Sequence, residues 1–171
     1  MTTSHASGFS IRAARATDVR AIQALREPSE GKVLLHHDLV ALFEKVQEFL
    51  VVENAAGKVV AAGALHIMWE DLAEVRSIVV SSDVRGQGIG HLLVEALLAK
   101  AEGSGIKRVF CLTFEVGFFA KHGFEEISDV PVDEATFAEL VRSTDEGTAE
   151  FLDLARVKQN TLGNTRMLKR L

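Results

Sequence analysis

The stretch VRGQGIG, Val84 to Gly90, sits between an apolar run, AEVRSIVV (residues 73–80), and a leucine-rich run that starts at Ile89. Three glycines in so short a segment separate two of the best-packed parts of the chain. A strand, then glycines, then a helix leaves backbone N–H groups exposed at the helix N-terminus. Those donors have no partner inside the helix, and the helix dipole adds to their pull on an anion. Glycine lets the backbone approach a bulky phosphate and adopt conformations closed to other residues. Arg85 adds a positive charge at the entrance. The segment is therefore suited to hold a pyrophosphate, and the same pattern also serves a bare strand-to-helix turn. Two familiar phosphate loops do not fit. No Lys-Ser or Lys-Thr follows the glycines, and the dinucleotide spacing from Gly86 and Gly88 would place glycine where His91 stands.

The flanking patterns read as mixed α/β. Residues 10–14 form a first strand. Thr17 reads as an N-cap, with Asp18 in the first turn and Val19, Ile22 and Leu25 on one helical face. A loop with Pro28 leads to a second amphipathic helix bearing Leu39, Leu42, Phe43 and Val46, capped by Asp38. FLVVE (49–53), the turn NAAG and KVVAAGALHIMW (58–69) read as an antiparallel hairpin. After the glycines, Ile89, Leu92, Leu93, Ala96 and Leu97 keep helical spacing until Gly103 and Gly105. RVFCL (108–112) reads as a buried strand. A short helix over 116–122 stops at Gly123, FEEIS resumes as a strand, 133–142 reads as a helix, and TRMLKRL closes the chain as a last strand. No repeat or linker breaks this order, so a single domain over 1–171 is expected.

Bulk numbers narrow the function classes. With 171 residues and 47% apolar composition, the chain can bury a real core. A net charge of -5 argues against a nucleic-acid footprint. Cys111 is the only cysteine, which excludes an internal disulfide and fits a reducing compartment. The start lacks a secretion signal, and no apolar run approaches the roughly 18 residues of a membrane helix. A cytoplasmic protein with neither a membrane nor a nucleic-acid partner, and with no metal, is the expectation.

Three motifs carry a resemblance. Arg85, Gly88 and Gly90 match the Arg/Gln-x-x-Gly-x-Gly/Ala acyl-CoA loop of the GCN5-related N-acetyltransferase (GNAT) superfamily. AEVRSIVV resembles that family's central strand, and FFAKHGF (118–124) its later helix-to-strand motif. The likeness covers nearly the whole chain in element order. It implies an α/β (α+β) GNAT fold: a central mixed, mostly antiparallel sheet, splayed at the cofactor site and flanked by helices. It implies acetyl-CoA as co-substrate. Backbone amides of Arg85, Gly86, Gln87, Gly88, Ile89 and Gly90 would bind the pyrophosphate. Main-chain groups of Ile78, Val79 and Val80 would pair with the pantetheine arm like an added strand, with Phe118 and Phe119 also beside the cofactor.

Acetyl transfer to an amine requires loss of the amine's proton, a donor for the developing oxyanion and departure of the thiolate. Glu74 is the candidate base: a carboxylate on an interior strand should have a raised pKa, and its place four residues before Ile78 resembles that of the glutamate base of the family's histone acetyltransferases. Strand alternation places Glu74, Arg76 and Ile78 on one face; Glu74 then reads either as base or as ion-pair partner of Arg76. A backbone N–H on this strand, that of Val79, would serve the oxyanion. Many relatives protonate the leaving sulfur with a tyrosine, and this chain has none; Phe119 stands in its place. A simple thiol has a pKa of roughly 8.5 and can leave as thiolate unassisted. Cys111 and His122 are substitutes, with packing and a helix-end position as their plainer readings.

AEVRSIVV, LTFE…FFAKHGF, NTRMLKRL and GKVLLHHDL together look like amino-acid N-acetyltransferases, in particular short N-acetylglutamate synthases. The reaction implied joins acetyl-CoA and L-glutamate, with glutamine also open, at the entry to arginine biosynthesis. Two substrate carboxylates call for cationic donors. Lys32, Arg76, Asn164 and Arg166 are the candidates, with Lys158 and Asn160 just before the last pair; solvated or edge-strand charges are the plainer readings. Leu35 and Asp71 stand where some longer synthases have basic residues. Family members often pair, so a homodimer fits. An enzyme acting on a protein N-terminus or lysine, and a non-catalytic acetyl-CoA-binding module, are the rival readings.

Overall fold

The computed structural model describes Thr3–Ser4 and residues 8–30, 32, 34, 38–152 and 163–171. The chain divides into two compact units, Met1–His66 with Val75–Ser104, and Ile67–Glu74 with Gly105–Leu171.

In the first unit, strands β1 (Thr3–Ser4), β2 (Phe9–Ala13), β3 (Phe49–Asn54) and β4 (Val59–Ile67) run antiparallel in sequence order. The hairpin between β3 and β4 is held by its own turn chemistry. The Asn54 Oδ1 accepts from the N–H groups of Ala56 and Lys58, both at 3.0 Å, and Gly57 takes a φ of 74°. Strand β5 (Leu72–Val80) ends in this unit, where the Ser81 N–H donates to the Val60 carbonyl at 2.8 Å.

Helices α1 (Val19–Arg26) and α2 (Leu39–Glu44) cover one face. Their Val19, Ile22 and Leu42 pack with Phe49, Val51, Ala62, Ala64 and Val79. Gly63, between the two alanines, faces the other way: a Cβ there would meet Ile78 at 2.5 Å and Leu93 and Leu97 of α3 (Ile89–Gly103) at 3.1 Å. The lack of a side chain at 63 lets α3 press against β4.

The first helix starts differently from its sequence reading. Thr17 is not the cap; it lies inside a 3-10 turn, Ala16–Asp18, that precedes α1. Asp18 closes that turn, accepting from the Arg15 N–H at 2.7 Å, and its carboxylate also meets Arg12 at 2.7 and 3.0 Å. Arg12 reaches Glu53 as well. A nearby buried cation made a longer-range partnership available to Asp18 than a helix cap alone offers.

In the second unit, the first residues of β5 pair in parallel with β6 (Arg108–Thr113) through Leu72–Arg108, Ala73–Val109 and Glu74–Phe110. After α4 (Val116–Ala120) and the two-residue β7 (Glu125–Glu126), α5 (Glu134–Leu140) and α6 (Glu146–Phe151) follow, and β8 (Thr165–Arg170) pairs antiparallel with both β6 and β7. The core here is Met68, Leu72, Phe110, Leu140, Phe151, Leu152 and Leu168, with the Phe110 and Phe151 rings edge-on at 4.5 Å. Asp133 and Asp145 are true N-caps, accepting from the Thr136 and Thr148 N–H groups at 2.8 and 2.9 Å. Helix α6 has no counterpart in the sequence reading. Among the described residues, no helix is long and apolar enough to cross a membrane, and no cluster of His, Cys, Asp or Glu has the makings of a metal site.

The Arg12–Asp18 pair carries a pH signature. The hydrogen bonds from Arg12 hold the Asp18 carboxyl below its usual range, against burial, which acts upward. Its stabilising contribution is therefore complete above the ordinary carboxylate pKa of about 4 and is lost as pH falls through the lowered folded value. Asp18→Asn, which leaves Arg12 without its main counter-charge, is expected to cost about 3 kcal/mol at pH 7, with the gap to wild type narrowing below pH ~4; urea titrations at both pH values check it.

Candidate active site

The junction between β5 and α3 is built by local backbone chemistry. Ser81 caps a 3-10 turn, Ser82–Val84. Gly86 and Gly88 then take φ values of 79° and 77°, the left-handed region that glycine enters freely. A Cβ at either would meet nothing within 4 Å. Conformation and not crowding therefore calls for glycine here, and the space above the loop is open. Gly88 is the N-cap of α3, and the Leu92 N–H is the first to bond back, to the Gly88 carbonyl at 3.1 Å. The amides of Ile89, Gly90 and His91 precede that bond, at the positive end of a 15-residue helix. Ile89 is buried and anchors the helix start, while Arg85, Gly86, Gln87 and Gly88 are exposed.

Beside the loop lies a pocket of about 390 Å³, lined by Ile78 to Ser82 and Arg85 on one side and by Ala24, Leu25, Pro28 and Ser29 on the other. Val79 also reaches the core beneath α1 and α2. Ser77 has a φ of 58°, the one positive value at a non-glycine among the described residues. Past this kink, Val79 packs beneath α1 and α2 while Ile78 faces Gly63 and α3, so neighbouring side chains still point to opposite faces.

A residue the sequence reading missed sits at the kink. Arg26, at the end of α1, is fully buried, donates to the Ser77 Oγ and pairs with Glu30 at 3.4 Å. Burial lowers its pKa, the charge of Glu30 opposes that, and the charge of Arg76 reinforces it. In the sequence, Arg26 looks like any cation favoured by the C-terminal end of a helix; only the fold reveals that it is inside.

Arg76 is also mostly buried, and its Nη2 donates to the Glu48 Oε2 at 2.9 Å. The other Glu48 oxygen meets the His66 Nδ1 at 2.9 Å. Burial pushes the Glu48 carboxyl up, but His66 and Arg76 outweigh it and hold it below its usual range. Glu48 is a second residue that sequence reading missed, being one of several polar residues between a helix and a strand.

In the second unit, Glu74 is 4% exposed and sits opposite Phe110 in the ladder. Cys111 is buried in β6 opposite Met167; burial and the neighbouring charge of Glu74 raise its thiol pKa far above the ordinary value, so it stays protonated and packs. Phe119 is buried between Phe118 and Phe124, with ring centroids at 5.2 and 5.3 Å, and His122 stacks edge-on against Phe118 at 5.4 Å. Asn164 and Arg166 are brought together by α6: the Asn164 Nδ2 donates to the Glu150 Oε1, and the Arg166 Nη2 to the Glu150 carbonyl, both at 3.2 Å. Lys32 is exposed and reaches the Pro28 carbonyl at 3.4 Å. Leu35, Lys158 and Asn160 lie outside the described residues.

Residues 18–124 match the acetyltransferase (GNAT) family. The chain belongs to this family. It is accordingly an acyltransferase, with the family's fold. This acetyltransferase is 52% identical over 160 residues to the amino-acid acetyltransferase of Mycobacterium tuberculosis, covering 92% of each chain. It is 34% identical over 123 residues to that of Neisseria meningitidis, covering 70% of this chain and 28% of the longer relative. A Mycobacterium tuberculosis protein crystallised in complex with CoA superposes with a TM-score of 0.91 at 52% identity, covering 94% of this chain and 98% of that one. N-acetylglutamate synthase from Neisseria gonorrhoeae, solved with coenzyme A and N-acetyl-glutamate, gives 0.76 at 26% identity, covering 98% of this chain and 36% of that one.

Gly88→Ala should keep the fold and cost about 1–2 kcal/mol in chemical denaturation, the strain of a side chain in the left-handed region with no steric clash added.

Proposed function

We propose that this acetyltransferase moves the acetyl group of acetyl-CoA onto the α-amino group of L-glutamate, with L-glutamine as the other candidate acceptor, at the entry to arginine biosynthesis. The observation that carries the reading is the continuity of β5 with the glycine loop: the strand residues that line the pocket run directly into the left-handed glycines and the N-terminus of α3. Relatives named for amino-acid acetyl transfer, and structural neighbours solved with CoA and with N-acetyl-glutamate, support the same chemistry.

The residues present fit the cofactor. Amides from Arg85 to Gly90 meet the diphosphate, with the Arg85 side chain exposed at the entrance. The main chain of Ile78, Val79 and Val80 takes the pantetheine arm, and Phe118 and Phe119 lie along the late helix as further contacts. The bound thioester supplies an activated acetyl group. Glu74 accepts the proton of the substrate ammonium, directly or through water, and so frees the nitrogen lone pair. The nitrogen bonds to the carbonyl carbon and gives up its second proton to water, the carbon–sulfur bond breaks, and the sulfur departs as thiolate. The Val79 N–H stabilises the oxygen that gains charge on the way. No phenol assists the sulfur, since the chain has no tyrosine. Arg76, Lys32, Asn164 and Arg166 supply donors for the substrate carboxylates.

Thiol release is measured with a panel of amino acids and peptides. Turnover with glutamate or glutamine, and none with peptides, is expected; the reverse pattern would sink the reading. Glu74→Gln should bind CoA with unchanged heat in calorimetry while kcat falls about 100-fold near neutral pH. The deficit should shrink as pH rises past the pKa of the amine, where the substrate frees its own lone pair. A deficit constant across pH removes Glu74 as the base. Arg166→Ala should raise the KM for the amino acid about tenfold and leave that for acetyl-CoA within twofold; equal changes would remove it from the acceptor site.

A further inference from the structure

Glu48 belongs to neither the glycine loop nor the pocket lining, yet both oxygens of its carboxylate are engaged. One oxygen takes a hydrogen bond from Arg76 on β5, and the other meets His66 on β4, each at 2.9 Å. Its own backbone is tied down as well. The Lys100 Nζ, near the C-terminal end of α3, donates to the carbonyls of Gln47 and Glu48, each at 3.0 Å. Burial lowers the pKa of this ammonium, and the charge of Glu48 opposes that shift. A lysine half-withdrawn from water costs free energy, and holding it on two carbonyls is a fixed, directional use of it.

The consequence falls on Arg76. Its side chain is 11% exposed, so its guanidinium cannot rely on water for its orientation. A buried guanidinium follows its counter-carboxylate. Here that carboxylate is prevented from swinging by His66 on one side and by Lys100 through the main chain on the other. Arg26, whose charge acts on the same region from α1, adds a like charge that would push Arg76 away from any position not held by an acid.

We infer that Glu48 is a positioning residue for acceptor binding: clamped by His66 and Lys100, it fixes the Arg76 guanidinium where a carboxylate of the amino-acid substrate is received. This rests on the acceptor reading given above. The clamp also ties the acceptor side to α3, the helix whose other end carries the glycine loop, so both halves of the reaction are referenced to one rigid rod.

Steady-state kinetics of Glu48→Gln, with glutamate and acetyl-CoA varied separately, test it. The amide keeps the volume but removes the charge. The amino-acid KM should rise about tenfold, with kcat and the acetyl-CoA KM within twofold. Glu48→Asp, which keeps the charge on a shorter arm, should recover part of the loss. The double variant with Arg76→Ala should be no worse than Arg76→Ala alone, because both act through one contact. Equal rises in both KM values, an unchanged amino-acid KM or full additivity would each overturn the inference.

A second measurement does not depend on turnover. Phenylglyoxal labelling of Arg76, followed by peptide mass spectrometry on folded protein, should increase about threefold in Glu48→Gln, and unchanged labelling would defeat the inference. Where that variant fails to fold, His66→Gln, which releases the second hold on the carboxylate, should move both readouts the same way, and no movement is again a refutation. A wild type that acetylates no amino acid would instead defeat the acceptor reading, whatever the labelling shows.

Discussion

Backbone amides at the start of α3 have no carbonyls to bond within the helix, and that constraint organises the site. A helix N-terminus can be finished by a side chain, by water or by a ligand. Here the capping residue is Gly88, which has no side chain to offer, and it is preceded by a second left-handed glycine with nothing packed above it. The loop forgoes the stabilisation that serine or aspartate would give at the cap. What it gains is a row of oriented donors facing open space, at the end of a helix whose body is locked to the sheet by Leu93, Leu97 and the gap left at Gly63. Rigid support beneath and the positive end of the helix above make the junction suited to a charged group that arrives from outside.

The neighbouring charges follow a complementary logic. Arg12, Arg26 and Arg76 are all mostly buried, and each is matched to acid: Arg12 to Asp18 and Glu53, Arg26 to Glu30, Arg76 to Glu48. Buried ion pairs add little net stability compared with well-packed apolar residues, but removing one partner is costly. Their value lies in holding a guanidinium at a defined place. The Arg12 set does so beneath the first helix as part of the framework. The Arg26 and Arg76 sets do so along β5, beside the kink at Ser77.

Much of this was legible before any coordinates. Periodicity located α1, α3, the hairpin of β3 and β4, and the β6 strand, because each is long enough to show its period and is bounded by turn residues with a defined conformational purpose. The glycine loop was legible for the same reason: glycine at the junction of two apolar runs signals a backbone that must be free. What misled was any inference that needed a neighbour distant in sequence. Thr17 looked like the cap, but Asp18 had Arg12 to answer to. Glu48, 28 residues away, is a partner of Arg76 that no count along β5 points to.

The sequence by itself determined the family, the order of most elements and the glycine junction between β5 and α3, since these depend on local backbone preferences and on short spacings along one strand or helix. Tertiary structure alone decided which charged groups are buried, who partners whom, and which acids hold the arginines in place. Burial and pairing are properties of space shared by segments far apart in the chain. A guanidinium on the surface and one locked in the interior are written with the same letter.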